Sequence, residues 1–241
     1  PSCETYMVYL CGRPLGNRGR CTLGRETAIQ PMTWGPDGWL RTTDGHGTPM
    51  VEVPGPAGIT LHPCSPEPVR DDFEGDTLPM SFQWLRTPRP EELFTLEERK
   101  GFLRLYGRET IGSLFTQALV ARRQQAHCFS ASTRLEFEPN HFQQMAGLVC
   151  YYNSVKFHYL YVSRDETGKH LRVMSALPDQ VSADAFTPPI PVPSDVPLEL
   201  RVEVDYERLR FAYRIETGSW QWLPQPFDAS ILSDEASAPG A

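Results

Sequence analysis

An all-β protein is predicted by three observations. Apolar residues recur at every second position along several segments. No long stretch follows the 3.6-residue period of a helix. Turn-forming residues separate the segments at short intervals. Many short strands joined by regular turns point to a sandwich or barrel.

Tyr6-Met7-Val8-Tyr9-Leu10 reads as a strand at the start of the chain. Residues 52–68 contain Pro54, Pro56, Pro63, Pro66 and Pro68 with Gly55 and Gly58. Proline withholds a ladder donor, so this stretch reads as a linker. Glu91 to Lys100 allows a helical turn, with poor apolar spacing. Strands are expected at 102–105, 133–137 and 145–152. Another is expected at 155–162, after an Asn153-Ser154 turn, and one at 171–174, after a turn at 166–169. The clearest alternation is Leu198-Glu199-Leu200-Arg201-Val202-Glu203-Val204-Asp205-Tyr206. Successive side chains of a strand face opposite sides, so the apolar set is buried and the charged set faces water. Leu209, Phe211, Tyr213 and Ile215 repeat the pattern after a turn at Glu207-Arg208, forming a hairpin. A second proline-rich stretch, 187–197, reads as a long loop. The expected division is a β segment at 1–51, a linker at 52–68, a sandwich at 69–235 and a disordered tail at 236–241.

The 241 residues carry a net charge of −7, and 40% are hydrophobic. That is enough for a sizeable core. Arg122-Arg123 is the nearest approach to a basic block, which argues against nucleic acid as a partner. No apolar run is long enough to cross a bilayer, so no membrane partner is expected. Cys3, Cys11, Cys21, Cys64, Cys128 and Cys150 form no C-x-x-C pair, so zinc spacing fails. They read mostly as unbridged, partly buried thiols, which favours a reducing, cytoplasmic location.

Two groups of motifs carry a family resemblance. The first is Leu10-Cys11-Gly12-Arg13-Pro14-Leu15, Gly19-Arg20-Cys21-Thr22-Leu23-Gly24-Arg25-Glu26-Thr27-Ala28-Ile29-Gln30, Trp34 and Asp37-Gly38-Trp39-Leu40. It resembles the end of the five-bladed β-propeller of glycoside hydrolase family 43 β-xylosidases. The second comprises Asp71-Asp72-Phe73, Trp84-Leu85-Arg86-Thr87-Pro88, 119–125, 142–148 and Asp228-Ala229-Ser230-Ile231-Leu232-Ser233-Asp234. It resembles the C-terminal sandwich that accompanies that propeller. The resemblance implies a concanavalin A-like, jelly-roll sandwich preceded by the last propeller strands. Two departures stand out: Tyr9 occupies a position where the family often has histidine, and the chain ends in a small-residue tail where the family sandwich continues. A fragment of a longer enzyme is therefore expected, with exposed sheet edges that favour aggregation.

The family hydrolyses xylo-oligosaccharides from the non-reducing end with inversion, in some members with α-L-arabinofuranosidase activity. Inversion needs an acid and a base carboxyl about 6.5–9.5 Å apart. The resemblance places these carboxylates on blades upstream of this chain, so no catalytic residue is expected here and the chain alone should be inactive. Asp71-Asp72 is the most tempting substitute, but adjacent residues on an extended chain point to opposite sides. Glu91-Glu92 and Glu97-Glu98 fare no better. Arg25 is the one substrate-binding residue implied. In the family, the arginine of Gly-Arg-Glu-Thr enters the glycone subsite, where a guanidinium donates fixed hydrogen bonds to sugar hydroxyls. Glu26 reads as its structural neighbour. Calcium occupies the propeller axis in some members, with its ligands expected upstream, so no cofactor and no metal site are assigned. His46, His62, His127, His141, His158 and His170 show no ligand spacing. The intact enzyme would take a xylo-oligosaccharide or arabinoside substrate and form a homo-oligomer. Trp84, Tyr151, Tyr152, Tyr159, Tyr161, Trp220 and Trp222 leave open a stand-alone lectin-like module. A structural or oligomerisation domain is the third reading.

Overall fold

The computed structural model describes residues 4–60, 62–85, 87–177 and 185–236. The chain falls into two compact units. One is Pro1–Arg13 with Gly24–Pro68, and the other is Pro14–Leu23 with Val69–Ala241.

The first unit is built on an antiparallel sheet of β1 (Thr5–Cys11), β2 (Glu26–Trp34) and β3 (Leu40–Thr42), in that order. β2 is centred because it pairs along its length, from Thr5↔Met32 to Cys11↔Glu26 on one side and through Trp34↔Leu40 on the other. The β2–β3 turn closes with the Gly35 amide donating to the Trp39 carbonyl at 2.8 Å, and Gly38 takes φ +80° there. Gln30 is fully buried, and its Oε1 accepts from the Met50 amide at 3.0 Å. This ties residues 43–50 back to the sheet. Val8 and Leu10 share one face of β1 and stay 65% and 70% exposed.

The second unit is a sandwich. One sheet, in the order β12-β11-β10-β9, comprises β9 (Ala146–Asn153), β10 (Lys156–Asp165), β11 (Gly168–Ala176) and β12 (Ile190–Pro191). The other runs β15-β14-β13-β8 and uses β8 (Cys128–Leu135), β13 (Leu198–Asp205), β14 (Arg208–Ile215) and β15 (Gln221–Trp222), with β16 (Phe227–Asp228) also on β14. Two short ribbons lie outside these sheets: β4 (Phe82–Trp84) with β7 (Val120–Arg122), and β5 (Phe94–Thr95) with β6 (Arg104–Leu105). Leu160, Val162, Leu171 and Val173 of the first sheet meet Leu198, Leu200, Val202, Val204, Leu209 and Phe211 of the second in one core. Each of the four charged β13 positions lies off that core, as alternation requires.

Several sequence expectations shift. The β13–β14 hairpin turns at Tyr206-Glu207, one residue earlier than expected, because Arg208 already pairs with Asp205. Tyr206 takes φ +52° in this two-residue turn. The strand expected at 133–137 is β8, which runs across Cys128–Leu135 in full register with β13. Its serines and threonine carry too little alternation to mark it. The expected helical turn at Glu91–Lys100 is a 3₁₀ turn at Pro90–Glu92 followed by β5. Ile190–Pro191, read as loop, pairs at the sheet edge, where proline is tolerated. Of the tail, Ala236 is described and buried, and 237–241 lie outside the described residues. None of the described cysteines is in a disulfide.

Two substitutions probe the sandwich. A Cβ on Gly147 would lie 2.0 Å from the Leu160 carbonyl oxygen on the paired strand. Gly147→Ala is therefore expected to cost about 1–3 kcal/mol by overpacking. Phe211→Ala empties a fully buried position and is expected to cost about 3–5 kcal/mol. Urea unfolding followed by tryptophan fluorescence measures both.

Candidate functional site

The β1–β2 hairpin is where the sequence places its one binding residue, and its connection is long. Cys11 pairs with Glu26, so residues 12–25 join two adjacent strands. Arg25 is exposed and stands immediately before β2. Gly24, at φ +74°, turns the chain into the strand. Glu26, the first residue of β2, receives two hydrogen bonds from the Arg13 guanidinium, at 2.6 and 2.8 Å. This bidentate pair makes Glu26 a structural partner of Arg13.

The middle of the connection, Pro14–Leu23, belongs to the second unit. Leu15, Cys21 and Leu23 are buried. Leu15 and Arg20 bridge, with the Leu15 amide donating to the Arg20 carbonyl at 2.8 Å. Gly16 opens a 3₁₀ turn at Gly16–Arg18 and Gly19 caps its end, both with positive φ. This shape presents two arginines to one carboxylate. Arg18 donates to Asp228 through Nη1 at 2.7 Å and Nη2 at 3.3 Å, and Nη2 also reaches Glu207 at 3.1 Å. Arg20 Nη1 donates to Ser230 Oγ at 2.9 Å and lies 3.4 Å from Asp228. The Cys21 amide donates to Glu235 at 3.0 Å.

Asp228 is itself fixed. It caps the 3₁₀ turn at Ala229–Ile231, accepting from the Ser230 amide at 2.9 Å and the Ser230 hydroxyl at 2.6 Å. Its carbonyl oxygen lies 3.1 Å from His158 Nε2. A carbonyl only accepts, so Nε2 carries the proton, and Nδ1 accepts from the Ser175 hydroxyl at 2.7 Å in the neutral ring. Burial pushes the His158 pKa down, which keeps the ring neutral. Burial alone would push the Asp228 carboxyl up, but Arg18 and the Ser230 donors outweigh it and hold it below its ordinary range.

The other carboxylates singled out from sequence do not converge. Asp71 accepts from the Phe73 amide at 2.8 Å, while Asp72 pairs with Arg70 at 2.5 Å, which pulls its pKa down. Glu92 pairs with Arg89 and Glu98 with Arg104, each at 2.8 Å. Inverting hydrolysis needs one carboxyl with a raised pKa facing a second across the bond. These local pairs do not supply that geometry. Among the described residues, no group of three His, Cys, Asp or Glu side chains is placed to hold a metal.

The aromatics divide into two sets. Tyr161 is buried, with its ring 5.4 Å from that of Tyr159, and Tyr151 stacks on Phe157 at 6.3 Å. These rings pack against each other on the first sheet. Trp220 and Trp222 lie on the outer face of the second sheet, where Trp222 pairs with the small Ala212. Arg210 sits 4.4 Å over Trp222, and Arg214 sits 4.7 Å over Trp220. The same arginines pair across strands with Glu203 and Glu199. Guanidinium groups thus cover the rings that a sugar would stack on.

Comparison with known proteins places these features. Residues 70–241 match the family described as the beta xylosidase C-terminal Concanavalin A-like domain. Residues 1–40 match glycosyl hydrolases family 43. A putative beta-xylosidase of Escherichia coli K12 is 40% identical, over 96% of this chain and 45% of its own length. Xylosidase/arabinosidase 43B of Humicola insolens is 38% identical, over 98% of this chain and 44% of its own. The crystal structure of a xylan beta-1,4-xylosidase from Bacillus halodurans C-125 superposes with a TM-score of 0.89 at 38% identity, covering 97% of this chain and 45% of that one. The chain thus spans a little under half the length of these relatives.

The Asp228 geometry gives an acid signature. Its folded pKa is depressed, so its stabilisation is present above the ordinary value of 3.8 and is lost as pH falls through the folded value. Asp228→Asn is expected to lower the melting temperature at pH 7, with the difference from the parent shrinking steadily below pH 3.8. Thermal melts from pH 7 to pH 2 by circular dichroism check this.

Proposed function

The chain belongs to glycoside hydrolase family 43, through its β-xylosidase C-terminal concanavalin A-like domain, and on that premise we propose that it is the C-terminal portion of a β-xylosidase. The intact enzyme releases xylose from the non-reducing ends of xylo-oligosaccharides by single displacement, with arabinosides as a second substrate class. One observation carries this reading. Two consecutive segments match, in order, the catalytic family and its C-terminal partner domain. The open apolar face at Val8 and Leu10, with Trp34 and Trp39 also exposed, supports it as a surface suited to further propeller sheet.

The acid and base carboxylates act from outside these residues. Within the chain, Arg25 supplies the glycone contact: a rigid guanidinium that donates to sugar hydroxyls and favours the ionised form of a neighbouring carboxylate. The Gly24 turn and the Arg13–Glu26 pair hold its backbone on both sides. The sandwich contributes oligomer contacts. A cytoplasmic location fits the unbridged described cysteines. The lectin-like alternative is weakened by the burial of Tyr161 and by the guanidinium-covered tryptophans.

Two assays test the reading. The chain by itself is expected to show no turnover of an aryl β-xyloside above background, and clear turnover would place the carboxylates within it. In the protein that joins this chain to its catalytic domain, Arg25→Ala is expected to lower kcat/KM by about 10- to 100-fold, from lost charge-assisted hydrogen bonds. Unchanged kinetics would remove Arg25 from the site.

A further inference from the structure

We propose that the second unit carries a saccharide site of its own: an open cleft just after β6, in which Arg108 and Glu109 hold adjacent hydroxyls of a neutral oligosaccharide. The choice of xylose units for its test rests on the β-xylosidase reading, whereas the site rests on the geometry of the cleft.

The cleft follows from the short β5–β6 ribbon. Phe94 pairs with Leu105, and the Tyr106 amide donates to the Leu93 carbonyl at 2.8 Å. This pairing brings the chain leaving β6 alongside the 3₁₀ turn at Pro90–Glu92. Glu92, Gly107, Arg108, Glu109 and Thr116 line an open cleft of about 640 Å³. Small-molecule sites span about 300–1,000 Å³ and are mostly apolar. This one has the size of such a site with a polar lining.

Its polar groups are fixed before a ligand arrives. Arg108 donates through Nε to the Glu92 carbonyl at 2.7 Å and through Nη2 to the same oxygen. Nη1 is left open among the described residues. Glu109 Oε2 accepts from the Ser113 hydroxyl and, at 3.2 Å, from the Thr116 amide. These donors hold the carboxyl below its ordinary range, and Oε1 is left open among the described residues. The Glu109 amide closes the loop on the Thr116 carbonyl at 3.1 Å. Inside the loop, buried Gln117 donates to the Ser113 carbonyl at 2.7 Å. A loop bonded in this way is pre-organised, which lowers the ordering cost of binding.

The lining selects the ligand by its chemistry. A guanidinium only donates, a carboxylate only accepts, and a hydroxyl does both. Neighbouring hydroxyls of a sugar ring therefore satisfy Arg108 Nη1 and Glu109 Oε1 together. Arg89 pairs with Glu92 at 2.8 Å, so the charges that remain, on Arg108 and Glu109, cancel. That balance favours a neutral ligand over an ion of either sign. An apolar ligand would leave the same groups without partners. The tip of the loop adds an apolar surface: Leu114 and Phe115 are 60% and 76% exposed, next to Thr116 in the chain. An aromatic ring held there gives the C–H face of a sugar a surface to pack on.

Titration of the full chain with xylohexaose, followed by saturation-transfer difference NMR, tests the site. Saturable binding is expected, weakened about fivefold or more by Arg108→Ala through lost hydrogen bonds. Gly107→Leu is expected to weaken it as strongly. Gly107 lines the cleft, and a Cβ there meets no atom within 4 Å, so the new side chain takes up open space without a clash. Thermal melts of both variants are expected to match the parent. No saturable binding, or unchanged binding in either variant, would overturn the proposal. Should Arg108→Ala fail to fold, Arg108→Lys takes its place, keeping the charge and losing the forked grip on Glu92. No hydrolysis is read, so the two readings fail separately. Turnover by the protein joined to its catalytic domain decides the β-xylosidase reading, and xylohexaose binding by this chain decides the cleft.

Discussion

Strand β13 is the constraint on which the sandwich depends. Its leucines and valines at alternate positions must leave water on one side only, because the strand repeat is two residues. That burial fixes the faces of β14 and β8, which pair with it along their lengths. A slip of one residue would turn Leu198, Leu200, Val202 and Val204 to solvent and bury the charges between them. β14 then fixes β16 beside its start, and β16 ends on Asp228.

The charges left outside are organised by the same register. Glu199 and Glu203 face Arg214 and Arg210 directly across the β13–β14 ladder. Those arginines in turn lie over Trp220 and Trp222. The small Ala212 between them gives the indole rings room to lie close to the sheet. The outer face is thus a layer of ion pairs and cation–π contacts in which guanidinium groups lie over both indole rings. Asp228 differs because its arginines come from a segment that lies before the sandwich in sequence.

Much of the fold was legible in the sequence where the pattern is local. β13, β14, β10 and β11 announced themselves through alternation or apolar density, and the Glu166-Thr167 and Asn153-Ser154 regions through turn residues. β8 was misplaced because Ser130, Ser132 and Thr133 alternate weakly, and only its partner β13 defines its length. The hairpin turn was set one residue late because Tyr206 continues the strand pattern in composition while its φ of +52° ends it in space. The proposed glycone contact, Arg25, rests on its motif alone. Asp228 stands in a motif without a role, since nothing near it in sequence names its arginine partners.

The sequence by itself determined an all-β sandwich, the family, and the faces of its clearest strands. Each of these follows from local periodicity, motif order or the geometry of adjacent residues. Only the tertiary structure decided that Arg18 and Arg20 meet Asp228, and that Pro14–Leu23 folds with the sandwich and not with the strands on either side of it. The physical reason is that ion pairs have no periodicity. A guanidinium is satisfied by whichever carboxylate the fold brings within reach, and that choice is made by strand pairing more than two hundred residues away.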